Sequence, residues 1–122
     1  MIYCNDWIWD CDEEELVQSS SRISIGIYYK DINWAKNLYN KLVAYFKHID
    51  CLAHTRYSKY IDECFILLKN GTSYKFVKTD NTSRGQKFHN AYIEDGISDD
   101  DINDYVIPNL IPYKDVFKVV KG

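Results

Sequence analysis

Two β-prone runs, Cys64-Phe65-Ile66-Leu67-Leu68-Lys69 and Thr72-Ser73-Tyr74-Lys75-Phe76-Val77, flank the pair Asn70-Gly71 and leave this part of the chain little conformational choice. Asn-Gly supplies the positive φ values of a tight hairpin turn, so the spacing predicts a hairpin closed by a type I′ turn.

Upstream, Ile23-Ser24-Ile25-Gly26-Ile27-Tyr28-Tyr29 alternates with period two, which predicts a core strand with Ile23, Ile25 and Ile27 on one face. Between Asp31 and His48 the apolar residues Ala35, Leu38, Tyr39, Leu42, Val43 and Phe46 recur at three and four, the period of an amphipathic helix, with Asp31 or Asn33 as N-cap. Residues 49–62 are ambiguous and stay unassigned, with 50–56 compatible with a short strand and 57–62 with a turn. Downstream, 78–87 reads as a polar loop and 88–94 as a strand whose parity puts Phe88, Asn90 and Tyr92 on one face. Ser98 followed by Asp99-Asp100-Asp101 reads as an N-cap and acidic first turn, Pro108 and Pro112 as the end of that helix, and Val116–Val120 as a last strand.

The expected fold class is therefore α+β (mixed α/β), a small sheet with a β-hairpin covered by two main amphipathic helices. A chain of 122 residues, 46% hydrophobic, fits one domain, and at this size folding buries about two-thirds of the surface of the unfolded chain. Within it, 1–22 reads as an N-terminal strand or anchor carrying Trp7 and Trp9, plus a linker, and 23–122 as the α/β core.

Fifteen basic against 18 acidic groups give a net charge of -3, too balanced for a general nucleic-acid or membrane-surface binder, so an anionic ligand needs a local basic cluster. Cys4, Cys11, Cys51 and Cys64 lack metal-site or redox spacing, and with His48, His54 and His89 they make no recognisable metal set. No G-x-S-x-G frame or P-loop is present, and adjacent Glu94 and Asp95 on a strand would point to opposite faces. The expectation is a binding protein with no catalytic residues, cofactor or metal, in the cytosol, with neither a membrane nor a nucleic-acid partner. Its basic candidates are Arg56, Arg84 and Lys87, each in an expected loop, with Arg22 behind them. Phe88, Asn90 and Tyr92 follow the cationic loop Arg84-Gly85-Gln86-Lys87 and supply ring and amide contacts.

Residues 63–110, with the Asn70-Gly71-Thr72 turn, Asn81-Thr82-Ser83-Arg84-Gly85, Ala91-Tyr92-Ile93-Glu94-Asp95-Gly96 and Val106-Ile107-Pro108, resemble the middle of a phage terminase ATPase core without its phosphate loop. In size and layout the chain is also similar to the Thoeris anti-defence family of phage and prophage proteins. That resemblance implies a sponge for the glycocyclic ADP-ribose signal of TIR-domain enzymes, holding it intact in a homo-oligomer in the host bacterial cytosol. Two other expectations stand beside it: an inhibitor of a nuclease defence component, using the acidic runs 12–15 and 99–101 as nucleic-acid mimicry, and a packaging accessory protein on a decayed terminase core.

Overall fold

The computed structural model describes residues 24–80, 85–110 and 118–121. The readings made for residues 1–22, and for Ile23, Arg84 and Pro112, lie outside the described residues.

In chain order the elements are β1 (Ser24–Tyr29), α1 (Ile32–His48), β2 (Leu52–Arg56), β3 (Phe65–Leu68), β4 (Ser73–Lys78), β5 (Asn90–Ile93) and β6 (Lys118–Lys121). A single 3₁₀ turn, Ile61–Glu63, precedes β3. A second helical segment opens as an α-turn at Asp99–Asp101, widens through Ile102–Val106, where the Ile107 N–H reaches back to the Ile102 carbonyl, and tightens to a 3₁₀ turn over Ile107–Asn109. The strands form one mixed six-stranded sheet in the order β2-β3-β4-β1-β5-β6. Strands β4, β1, β5 and β6 run parallel, and β3 runs antiparallel to β2 and β4. With helical cover on the sheet, this is the α+β arrangement that the sequence pattern predicts.

Helix α1 forms where its stripe of apolar residues falls on one side: Ala35, Leu38, Tyr39, Leu42 and Phe46 are buried, and Val43 packs against the same core. Its N-cap is Asp31, whose carboxylate accepts the Asn33 N–H at 2.9 Å, and Lys47 and His48 stand in the last turn, where positive charge suits the helix dipole. The stripe covers Ile25, Ile27, Tyr29, Ile66, Leu68, Tyr74 and Phe76, which come from β1, β3 and β4. Tyr28, Val77, Phe88, Ala91 and Ile93 form a second core on the opposite face, under Ile102 and Val106 of the other helical segment and Ile97 and Leu110, which flank it. Strand β1 is thus buried on both faces, as suits a strand with parallel partners on each side.

The β3–β4 hairpin is present, but its turn is of another kind. Among the described residues Asp50 is the only non-glycine with positive φ, so Asn70 does not adopt the left-handed conformation that type I′ needs at both central positions. Gly71 takes φ +92 alone, its N–H donates to the Leu68 carbonyl, and the Leu68 N–H donates to the Thr72 carbonyl. That is a type I turn followed by a left-handed glycine bulge, and the Asn70 side chain accepts the Thr72 N–H to fix it.

Residues 49–62, unassigned from sequence, contain a five-residue edge strand, Leu52–Arg56, and the last strand, expected over 116–120, is described over Lys118–Lys121, with Val116 and Phe117 outside the described residues. The strand expected over 88–94 begins only at Asn90. Phe88 makes an isolated bridge to Leu110, and His89 turns away from the ladder to exchange bonds with Ser24: its N–H donates to the Ser24 carbonyl, and its Nδ1 accepts the Ser24 N–H at 3.0 Å. This irregularity breaks the parity, so Phe88 and Tyr92 lie on opposite faces of the sheet rather than on one.

Candidate functional site

In sheets of this kind ligands favour the crevice at the carboxyl ends of the strands, where neighbouring strands send their connections to opposite faces. Here that crevice lies between β1, which leads into α1 on one face, and β5, which leads into the second helical segment on the other. The protein fills it with its own groups. Glu94 Oε2 accepts the N–H groups of Lys30 at 2.9 Å and Asp31 at 3.2 Å, the position an anion would take before a helix N-terminus. Lys30 in turn pairs with Asp101 at 2.6 Å. Glu94 is therefore a structural clamp between strand ends, and Asp101, from the acidic run, belongs to the same lock.

The open ground is elsewhere. Register places Arg56 opposite Phe65, Phe65 opposite Lys75, and Lys75 opposite Gly26. Residues in register share a face, and Ile66 and Tyr74, one step along, point into the core under α1, so this row lies on the other side of the sheet. On that side the second helical segment covers β1, β5 and, on β4, Val77. At Gly26 the cover ends: the Phe88 ring lies so close that an added Cβ would meet Phe88 Cδ2 at 2.6 Å, so a glycine is what admits the ring. Phe88 also packs edge-on against Tyr28 with centroids 6.0 Å apart. Beyond it, Lys75 and Arg56 are exposed and Phe65 is half-buried.

A cleft of about 580 Å³ opens over this uncovered part, lined by Arg56, Phe65, Ser73, Tyr74 and Lys75 and walled by Asp62, Glu63 and Cys64 from the 3₁₀ turn and its exit. Small-molecule sites are typically roughly 300–1,000 Å³. A second hollow of about 230 Å³ adjoins it, sharing Asp62 and Lys75 and reaching Lys78 and Gln86. Gln86 Oε1 accepts from Lys75 Nζ at 3.3 Å, which ties the end of the 78–87 loop to the rim. The wall is held from behind: the Cys64 thiol accepts the Ser58 N–H at 3.2 Å and lies 3.3 Å from the Ser58 carbonyl, while Ser58 Oγ donates to Glu63 at 2.9 Å. The His54 ring stands 5.5 Å from that of Phe65 and helps fix it at the floor.

Of the residues picked out by sequence, Arg56, expected in a loop, is instead the last residue of the edge strand β2, where its pairing with Phe65 brings it to line the cleft. Lys87 is exposed in the loop beside it, next to Gln86 on the rim. Phe88 is buried, 4% exposed, so its ring acts as a wall inside the core and has no face free for a ligand. Tyr92 lies on the α1 face, stacked on Trp34 with centroids 6.1 Å apart and planes 9° from parallel, and burial raises its phenol above the usual range. Asn90, half-buried, pairs with Ile25 and shares the Tyr92 face. The structure thus brings Arg56 and the end of the cationic loop to one side of the sheet and sends Asn90 and Tyr92 to the other.

Sequence reasoning missed Lys75, Phe65 and Asp62. Lys75 carried a readable sign, a charge among the apolar residues of a hairpin strand, but its pairing with Phe65 and Arg56 depends on a register that spans three strands. Among the described residues no group of His, Cys, Asp and Glu is placed to hold a metal ion, and no helix is long and apolar enough to cross a membrane. The arrangement offers two cations, one half-open aromatic ring and an acidic wall in one hollow, a set suited to holding a ligand that has phosphate and a flat ring. The chain matches no protein-family model and no curated protein sequence.

Proposed function

We propose that the protein binds a small phosphate-bearing ligand of nucleotide type in the cleft over β2, β3 and β4 and holds it without chemical change. The observation that carries this reading is the row Arg56–Phe65–Lys75, which lines one cavity of about 580 Å³ on the part of the sheet that the second helical segment leaves uncovered. Guanidinium and ammonium groups bond phosphate oxygens with charge assistance, each such bond worth about 1.5–3 kcal/mol. Two of them, with a ring for the base, suffice for capture with no turnover. The resemblance to the Thoeris anti-defence family adds the biological setting: sequestration of the cyclic ADP-ribose signal made by TIR-domain enzymes, by a phage protein that assembles as a homo-oligomer.

The test is mass spectrometry of small molecules released by heating the purified protein after incubation with TIR-enzyme products and, separately, with cyclic di- and trinucleotides. The expected outcome is recovery of an intact nucleotide species from wild type and its loss from Arg56→Ala. Recovery of nothing from any mixture, or equal recovery from the variant, overturns the reading.

A further inference from the structure

The cleft has two signs of charge. Asp62 lines both the larger cleft and the smaller hollow, and so does Lys75, so acid and base stand at the join between the two cavities. Glu63, its neighbour, is already engaged by Ser58 Oγ at 2.9 Å. The ion pairs among the described residues are Lys30–Asp101, Lys69–Asp50 and Lys78–Asp80, and none of them draws on Arg56, Lys75 or Asp62. Opposite charges therefore share one hollow without neutralising each other. The Asp62 carboxylate is also near enough to the buried Tyr29 phenol to contribute, after burial itself, to raising it to about 12.

A site for phosphate alone has no use for a carboxylate beside its cations, because the acid repels the ligand. A carboxylate does suit the other end of a nucleotide, since its two oxygens accept hydrogen bonds from the vicinal hydroxyls of a ribose, as acidic residues do in dinucleotide sites. We infer that Asp62 is the sugar-reading residue of this cleft: the ligand carries a vicinal diol as well as phosphate, the phosphates lying on Arg56 and Lys75 and the diol on Asp62. The inference rests on the proposed binding site and narrows its ligand to ribose phosphates, in preference to deoxyribose phosphates, free phosphates or other anions.

Calorimetric titration with three probes separates the possibilities: ADP, its 2′,3′-dideoxy analogue and inorganic pyrophosphate. On wild type, ADP is expected to bind about tenfold more tightly than the dideoxy analogue, a comparison that needs no variant. In Asp62→Ala that preference disappears: ADP weakens to the level of the analogue, while pyrophosphate binds as well as before or better because a repelling charge is gone. Equal binding of ADP and the dideoxy analogue by wild type overturns the sugar-reading role while leaving the phosphate site in place. Stronger binding of all three probes by the variant does the same. Failure of wild type to bind any of the three overturns the binding site itself.

Discussion

The two halves of the sheet are made of the same kinds of residue and put to different ends. Around β1 and β5 both faces are packed: Ile25 and Ile27 meet α1, while Tyr28, Ala91 and Ile93 meet the second helical segment. Across β2, β3 and β4 the α1 side is packed, and the other side, apart from Val77 at the end of β4, which joins the second core, presents Arg56, Phe65 and Lys75 to a cleft. The boundary between the halves is one residue wide. Gly26, which has no side chain, receives the Phe88 ring, and its register partner Lys75 is the first exposed residue of the row. Two phenylalanines on the same side of the sheet, Phe88 and Phe65, thus have opposite jobs.

The largest expected effect separates those two rings. Phe88→Ala removes a ring that is 4% exposed and leaves a hole over Gly26, at a cost of about 3–5 kcal/mol. Phe65→Ala removes a ring already half in water, so its cost is expected below about 1.5 kcal/mol while nucleotide binding falls. Urea unfolding of both variants, with titration of ADP into Phe65→Ala, reads this directly; equal destabilisation by the two would erase the distinction between the halves.

A smaller effect is expected where the packed half is tied by polar groups. The Asn109 amide donates to the Tyr28 hydroxyl at 3.1 Å and to the Tyr105 carbonyl at 2.9 Å, joining the second helical segment to the sheet. The Tyr28 phenol is pushed up to about 12, chiefly by burial and against the opposing pull of that bond. Asn109→Ala leaves the hydroxyl buried without this partner and is expected to cost about 1–3 kcal/mol by denaturant titration, with ligand binding unchanged.

The smallest effect is a pH dependence at the edge of the packed half. Burial lowers the His89 imidazole from its ordinary 6.5, and Nδ1 accepts the Ser24 N–H, a role open only to the neutral ring. The folded form thus binds the proton less readily than the unfolded chain, so the contribution of His89 to stability is complete above pH about 6.5 and is lost as pH falls through its lower folded value. Thermal midpoints recorded from pH 7.5 to 5.0 are expected to fall more steeply for wild type than for His89→Gln. Parallel curves would remove the histidine from the fold's pH response.

Much of the packed half was legible from sequence because its signals are local. The i, i+3, i+4 stripe of α1 identified the residues that are buried, the Asp31 and Ser98 caps followed from side-chain chemistry, and the alternation of β1 placed Ile25 and Ile27 together. Asn70-Gly71 located the hairpin yet fitted two turn types, and only the φ values of both residues distinguish them. The site was less legible because it is assembled by long-range register. Arg56 was picked out, but its partners Phe65 and Lys75 become neighbours only when β2, β3 and β4 align, and β2 itself is an edge strand whose exposed Ala53 and His54 leave no alternating pattern. Phe88, Asn90 and Tyr92 were grouped by a parity that the turn at His89 breaks, a change that no local propensity announces.

The central claim is that the uncovered half of the sheet is the binding half, and the Arg56→Ala/Lys75→Ala double variant tests it most directly. Both side chains are exposed, so unfolding in urea is expected to match wild type within about 1 kcal/mol. Titration of ADP is expected to show affinity at least tenfold weaker. A stable double variant that binds ADP as tightly as wild type would contradict the account and place the ligand on another surface.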